Sequence, residues 1–380
     1  MKILMLTTNS SLLDGINRHI LTVAPALNAI RDCEVAVCTA NAPGGLNKAL
    51  EAVGVKTYSL GASHGHDLKI FRKFHKVMKD FRPDIVHSHV MALYERMLLS
   101  TMFRKVKHVS TIHGIPDKVE HETTRMKLEQ LFNRIFSIKH SAICYISEGV
   151  RDVMSSYHDN QTLTPVTYNP IRLSEKLAPC NELHNLLNID KSTPVIGTSC
   201  RIANQKDPEQ FTKVMSMILK NNPNVHAVVI GDGDKNIIDR CKSIVSEYDV
   251  HRRFHWLGFR EDAPKLVAGM DCFIMTSIWE GLPTTLLECM ASDTPFAFLR
   301  GNGGLKDIER LNEKEGPFCI IGDRENLNDF AGNISLMIND KESGKKYANN
   351  ARGIAAKYFS IEKISNDLHN LYTQILETHE

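Results

Sequence analysis

The chain has 380 residues, with 46 Lys+Arg against 44 Asp+Glu, a formal charge of +2, and 42% hydrophobic and 24% charged residues. This is the composition of a soluble globular protein, and at roughly 150 residues per domain it allows about two domains, excluding a disordered tail or one small module. No apolar run approaches the ~18 uncharged residues that a membrane-spanning helix needs.

The first predicted element is a buried strand at 2–7; its apolar run is too short for a signal peptide, so the protein is expected to stay in the cytoplasm. Further strands are predicted at 34–39, 55–59, 84–87, 108–112, 142–146 and 166–168, mostly separated by amphipathic stretches. That alternation implies a parallel sheet covered by helices on both faces. Residues 171–190 contain Pro179, show no strand pattern and read as a linker. The pattern then restarts, with strands at 194–199, 225–230, 253–257, 271–275 and 295–299 and helices near 207–220, 235–248, 262–268 and 283–291. Two doubly wound α/β domains are therefore expected, at 1–170 and 191–360. The helical stretch 361–376, within the terminal segment 361–380, is expected to dock back on the first domain.

Residues 1–170 carry 21 Lys+Arg against 15 Asp+Glu, and the remainder carries 25 against 29. The positive excess gathers at Lys69, Arg72, Lys73, Lys76 and Lys79, opposite Leu68, Phe71, Phe74, Met78 and Phe81 on one predicted helix, with Arg104, Lys105 and Lys107 further on. The plain reading is a solvated helix face; the functional one is contact with anionic lipid or an anionic acceptor. No nucleic-acid motif accompanies it, so no nucleic-acid partner is expected. The nine cysteines include no C-x-x-C pair and read as reduced core thiols. His64-Gly65-His66 and His87-Ser88-His89 lack neighbours at ligand spacing, so neither a metal nor a cofactor is expected.

The most informative string is Glu280-Gly281-Leu282-Pro283-Thr284-Thr285-Leu286-Leu287-Glu288, where a strand gives way to a helix with Pro283 suited to its first position. Backbone amides around Gly281 to Thr285 would make an anion site at the positive helix end. At 100° per residue, Thr284 and Glu288 share one face, while Leu286, Cys289 and Met290 share the other. Arg201 and Lys206 follow the strand 194–199, at the end of a parallel strand where open α/β sheets bind ligands. They can serve as counter-charges for a diphosphate.

Glu280 through Glu288 resembles the E-x7-E signature of family 4 of the retaining glycosyltransferases, whose GT-B architecture sets two Rossmann-like domains facing across a cleft. The likeness extends along nearly the whole chain. Asp14-Gly15-Ile16-Asn17-Arg18-His19 is similar to the family's glycine-rich first loop, with Asp14 where the first of two glycines is usual. Asp84 to His89, Ser110 to Gly114 and Tyr145 to Ser147 resemble its first-domain strand ends, and Tyr168-Asn169-Pro170 its hinge. Ile230-Gly231-Asp232-Gly233 resembles its G-x-G loop, and Gly303-Gly304-Leu305-Lys306-Asp307-Ile308 its G-G-x-x-E-I with Asp for Glu.

The resemblance implies that Arg201, Lys206 and the helix start at Gly281, Leu282, Pro283, Thr284 and Thr285 hold a nucleotide diphosphate, with Gly15 and Gly258 also in the donor site. It implies Glu288 for the ribose hydroxyls and Glu280 for the transferred sugar. His113 would orient the sugar or the departing phosphate. His87, His89, Ser147 and Asn169 are weaker candidates that read first as structural. Fixed donors and cations would stabilise the departing diphosphate without a metal. Asp232-Gly233-Asp234 has the D-x-D spacing of metal-dependent transferases of another fold, but its place after a strand reads as a glycine-rich turn.

The implied activity is a retaining, metal-independent transfer from a nucleotide sugar, UDP-linked by preference and GDP-linked second. The implied acceptor is a saccharide or lipid-linked saccharide of bacterial surface polysaccharide assembly, met at the inner face of the plasma membrane. A nucleotide-sugar 2-epimerase of the same architecture and a non-catalytic nucleotide-binding module are the alternatives. Neither first strand leads into G-x-G-x-x-G, which argues against a dehydrogenase.

Overall fold

A computed structural model describes residues 1–12, 14–62, 69–89, 106–115, 131, 140–157, 162–173 and 181–377. The features expected at His64, His66, Leu68, Arg104, Lys105, Pro179 and Cys180 lie outside them. The chain divides into two compact units, one of residues 1–170 with 358–380, the other of residues 171–357.

The first unit holds β1 (Lys2–Thr7), β2 (Glu34–Thr39), β3 (Lys56–Ser59), β4 (Ile85–Ser88), β5 (Lys107–Ile112) and β6 (Ala142–Tyr145). All pair in parallel, in the order β3-β2-β1-β4-β5-β6. A parallel sheet is buried on both faces, which explains the apolar runs of β1, β2 and β6, while β4 and β5 also bury the polar His87, Ser88, Ser110 and Thr111. On one face Ile20, Val23 and Leu27 of helix Gly15–Asn28 pack with Ile364, Leu368, Leu371, Tyr372 and Ile375 of the terminal helix Ile361–Glu377. On the other, helix Lys69–Phe81 buries Ile70, Phe74, Val77, Met78 and Phe81. Its basic residues Arg72, Lys73, Lys76 and Lys79 are exposed, and Lys73 Nζ donates to the Leu60 carbonyl at 2.6 Å.

The strand expected at 166–168 does not form. Leu163 and Val166 make only isolated bridges to β6. Pro165, between them, has no N–H to give to a ladder, although its carbonyl accepts from the Tyr145 amide at 2.9 Å.

The second unit repeats the strand order. β7 (Val195–Ser199), β8 (His226–Ile230), β9 (Phe254–Gly258), β10 (Cys272–Met275), β12 (Phe296–Leu299) and β14 (Ile320–Gly322) pair in parallel as β14-β12-β10-β7-β8-β9. Two very short strands, β11 (Trp279–Glu280) and β13 (Asn302–Gly303), pair separately. Helices Pro208–Asn221, Lys235–Glu247 and Leu327–Asn339 cover one face through Phe211, Met215, Ile237, Phe330 and Ile334. The expected linker is not wholly a connector: Glu182–Leu187 is a short helix with Leu183 fully buried, ended by Asn188 at φ 53°.

Eight cysteines among the described residues are free, and all but the half-buried Cys200 are buried. No helix among the described residues is long and apolar enough to cross a membrane.

Candidate active site

In the second sheet the strand order reverses between β7 and β10, and the loops leaving these two strands carry Arg201, Lys206 and Glu280. A crevice at such a reversal is where open α/β sheets take ligands. The loops are stitched to each other. The Ile278 amide donates to the Gln205 carbonyl at 2.8 Å, and Gln205 Nε2 donates to the Trp279 carbonyl at 2.9 Å. Thr276 Oγ1 donates to the carbonyls of Lys206 and Asp207 at 3.0 and 2.9 Å.

The result is an ion pair that sequence reasoning did not foresee. Lys206 Nζ lies 2.6 Å from Glu280 Oε1, with side chains only 20% and 10% exposed. The cation expected at the phosphate and the carboxylate expected at the sugar therefore hold each other. Arg201 is exposed and has no hydrogen-bond partner among the described residues. The Cys200 thiol beside it is pushed up to about 12, mainly by burial, so it is not a thiolate nucleophile at neutral pH.

Arg324, another residue the sequence did not single out, braces the stitched loops. Its guanidinium donates to Asp207 Oδ2 at 2.7 Å, to the Thr276 and Ser277 carbonyls at 2.7 and 2.6 Å, and to the Arg300 carbonyl at 2.9 Å. Burial raises the Asp207 carboxyl, and Arg324 draws it back down. No local pattern marks an arginine for this task, because its partners come from three other loops.

Two glycines explain why the loops can lie so close. Gly303, at φ 68°, is paired to Glu280 through β11 and β13, and a Cβ there would collide with the Glu280 carbonyl oxygen. Gly231, at φ 136°, lies against the Cys200 carbonyl in the same way. Its amide donates to the Gly258 carbonyl at 2.7 Å, so Gly258 borders the loop that supports Arg201. Asp234 caps helix Lys235–Glu247 by accepting from the Asn236 and Ile237 amides, and Asp232 Oδ1 accepts from the Gly233 amide at 2.8 Å. Both carboxylates of the D-x-D string thus serve its turn.

Glu280 leads through Gly281 and the buried Leu282 into helix Thr284–Ala291. Pro283 is the N-cap rather than the first helical residue, since its ψ of 95° lies outside the helical region. It makes no side-chain cap, and the first intrahelical bonds run from Leu286 and Leu287 to its carbonyl. The Thr284 and Thr285 amides therefore precede the helical ladder at its positive end. Thr284 is exposed and Glu288 half-buried, while Leu286, Leu287, Cys289 and Met290 are buried.

The remaining expected residues lie in the first unit. Gly15 opens its helix, but Asp14 caps that helix with Oδ1 accepting from the Ile16 amide at 2.9 Å. The carboxylate takes the place an anion would occupy, which makes this helix end a poor phosphate site. The sequence did not single out Asn17 by itself; it is buried, accepts from Thr7 Oγ1 at 2.8 Å and donates to the Asn9 and Ser11 carbonyls. His113 is half-buried just after β5, and its Nε2 lies 3.1 Å from His89 Nδ1. Asn169 Oδ1 accepts from His19 Nδ1 at 3.0 Å, and Ser147 caps helix Glu148–Met154.

Within the second unit, then, Lys206 pairs with Glu280 just before a helix start suited to an anion, with Arg201 on the loop that carries Lys206 and Glu288 on the helix itself. Residues 181–354 match the family model described as "Glycosyl transferases group 1", and residues 13–175 match "Glycosyltransferase Family 4". The UDP-Gal:alpha-D-GlcNAc-diphosphoundecaprenol alpha-1,3-galactosyltransferase of Escherichia coli is 25% identical over 343 residues, 87% of this chain and 86% of its own. The N,N'-diacetylbacillosaminyl-diphospho-undecaprenol alpha-1,3-N-acetylgalactosaminyltransferase of Campylobacter jejuni is 29% identical over 172 residues, 45% of this chain and 42% of its own. Among solved structures, Anabaena HepE in complex with UDP and glucose superposes with a TM-score of 0.79 at 19% identity, covering 98% of this chain and all of that one.

Proposed function

The chain belongs to glycosyltransferase family 4 and has its GT-B architecture, and from that premise we propose that it moves a sugar from a UDP-sugar to a lipid-linked saccharide. The observation that carries this reading is the Lys206–Glu280 pair set between the Arg201 loop and an uncapped helix start. The E. coli and Campylobacter relatives, by their names, act on diphosphoundecaprenol-linked saccharides, which supports the acceptor class.

In the proposed mechanism Arg201, Lys206 and the Thr284 and Thr285 amides hold the diphosphate, with Gly281, Leu282 and Pro283 shaping that turn and Gly258 lying by the base. Glu288 accepts from the ribose hydroxyls. Glu280 holds the sugar hydroxyls and supports the positive charge that develops at the anomeric carbon. His113 contacts the sugar or the departing phosphate. Gly15 belongs to the first-domain loop, where Asp14 limits any direct phosphate contact. As the bond to the diphosphate breaks, the cations and amides take up the charge on the leaving oxygen. The acceptor hydroxyl attacks from the same face, its proton passing to the departing phosphate, and configuration is retained. The Asp232 and Asp234 carboxylates are engaged by backbone amides, which supports a metal-independent reaction.

The test is incubation with UDP-sugars and an undecaprenyl-diphosphate-linked N-acetylhexosamine, with and without EDTA. Glycosylated lipid and released UDP are expected in both conditions, with retained configuration. Isomerised nucleotide sugar without acceptor would identify an epimerase; loss in EDTA with manganese rescue would return the metal role to Asp232 and Asp234.

A further inference from the structure

Four histidine rings meet in the first unit where its strand order reverses: His19 from the helix after β1, His87 and His89 from the end of β4, and His113 after β5. His87 and His89 stack with centroids 4.4 Å apart, and His19 lies 5.3 Å from His89 and 5.0 Å from His113. Burial draws His19 down to about 4 and His87 to about 3, and holds His89 and His113 well below their ordinary value. All four are neutral near pH 7, so each ring has one N–H and one lone pair.

The hydrogen bonds decide which nitrogen carries the proton. Between His89 Nδ1 and His113 Nε2, 3.1 Å apart, one atom must donate and the other accept. His89 Nε2 is buried and has no hydrogen-bond partner among the described residues. If His113 donated from Nε2, the His89 proton would sit on that Nε2 as a buried N–H with no described residue to receive it. Orphaned buried N–H groups are rarer in folded proteins than unused acceptor positions. The opposite arrangement uses the His89 proton at Nδ1 and leaves only a lone pair at Nε2. His113 then accepts at Nε2 and carries its own proton on Nδ1, which no described residue takes.

We propose that His89 is a positioning residue that holds His113 in the Nδ1–H form, so that His113 meets the sugar donor as a hydrogen-bond donor and not as a base. His87 backs His89 by stacking, and is itself held between Tyr372 Oη at 2.6 Å, on the terminal helix, and Thr111 Oγ1 at 2.7 Å. The inference rests on the proposed role of His113 at the substrate, and its test separates the two.

The parent chain, labelled with ¹⁵N-histidine and with His113 assigned by its loss in His113→Ala, should show His113 protonated at Nδ1 and bare at Nε2 near pH 7.5. In His89→Leu the Nε2–H form should appear and kcat for UDP release from the best-consumed UDP-sugar should fall about tenfold, the scale of one lost hydrogen bond. Affinity for free UDP should stay unchanged. His89→Asn, whose amide N–H stands near the lost Nδ1–H, should restore the parent tautomer and most of kcat. A parent His113 protonated at Nε2, a measurement that needs no variant at 89, overturns the proposal, as does a tautomer indifferent to His89→Leu. The expected tautomers together with parent-like turnover in His113→Ala would instead overturn the role of His113 at the substrate.

Discussion

Replacing Glu280 by glutamine should raise affinity for the nucleotide product while destroying turnover. Lys206 and Glu280 are 2.6 Å apart and mostly shielded from water. With charge centres near 4 Å and an effective dielectric of about 20, their gross attraction is ~4 kcal/mol. Desolvation of both groups cancels much of that, leaving roughly 1–2 kcal/mol that a diphosphate must replace before it claims the ammonium. The amide side chain of Glu280→Gln keeps an oxygen beside Lys206 but releases the charge, and the substitution also removes a carboxylate that repels the incoming phosphates. UDP should therefore bind the variant ~5–30-fold more tightly by titration calorimetry, the factor set by those 1–2 kcal/mol. Turnover of a UDP-sugar should fall by ~100-fold or more, because no negative charge then faces the centre that becomes positive. UDP binding that is unchanged or weaker in Glu280→Gln would refute the reasoning, and would mean that Glu280 serves to hold Lys206 in place rather than to compete for it.

Gly303→Ala should lower the melting temperature and turnover together, since a side chain at φ 68° costs about 1–3 kcal/mol and here also presses on the Glu280 carbonyl; calorimetric melting beside a rate assay checks both. The buried histidines set an acid limit. The unfolded chain binds protons below about pH 6.5 while His19 stays neutral to about 4, so stability should fall with pH across that window by about 1.4 kcal/mol per unit for each such ring. Thermal unfolding from pH 7.5 to 5 should show that slope, and it should be shallower in His19→Asn; a level midpoint would contradict it. If the exposed face of helix Lys69–Phe81 meets anionic lipid, the protein should sediment with phosphatidylglycerol vesicles at low salt and not at high salt. Replacing Arg72, Lys76 and Lys79 with Ser, sparing the Lys73–Leu60 contact, should abolish this without changing UDP affinity, and equal sedimentation of both proteins would leave the face merely solvated.

Much of the architecture was legible without coordinates. Strands buried on both sides are rich in apolar residues, so runs such as those within Lys2–Thr7, Glu34–Thr39 and Val195–Ser199 stand out, and the helical patterns between them imply parallel order. The string Glu280 to Glu288 was equally readable, because a helix start and a face repeat are local properties. What escaped was either too short to carry a period or made by distant groups. Two-residue strands such as Trp279–Glu280 and Asn302–Gly303 have no pattern, and Pro165 undid the strand expected beside it.

Lys206 and Glu280 were both selected from sequence, yet their ion pair joins residues 74 positions apart, and it exists only because Gln205, Thr276 and Arg324 fasten two loops together. The rings of His19, His87, His89 and His113 likewise come from one helix and two strand ends that the parallel sheet brings together. Local sequence determined which groups could act, since residue type and periodicity are local. Tertiary structure decided which charges neutralise each other and which nitrogen holds a proton, because both depend on burial and on partners that only the folded chain supplies.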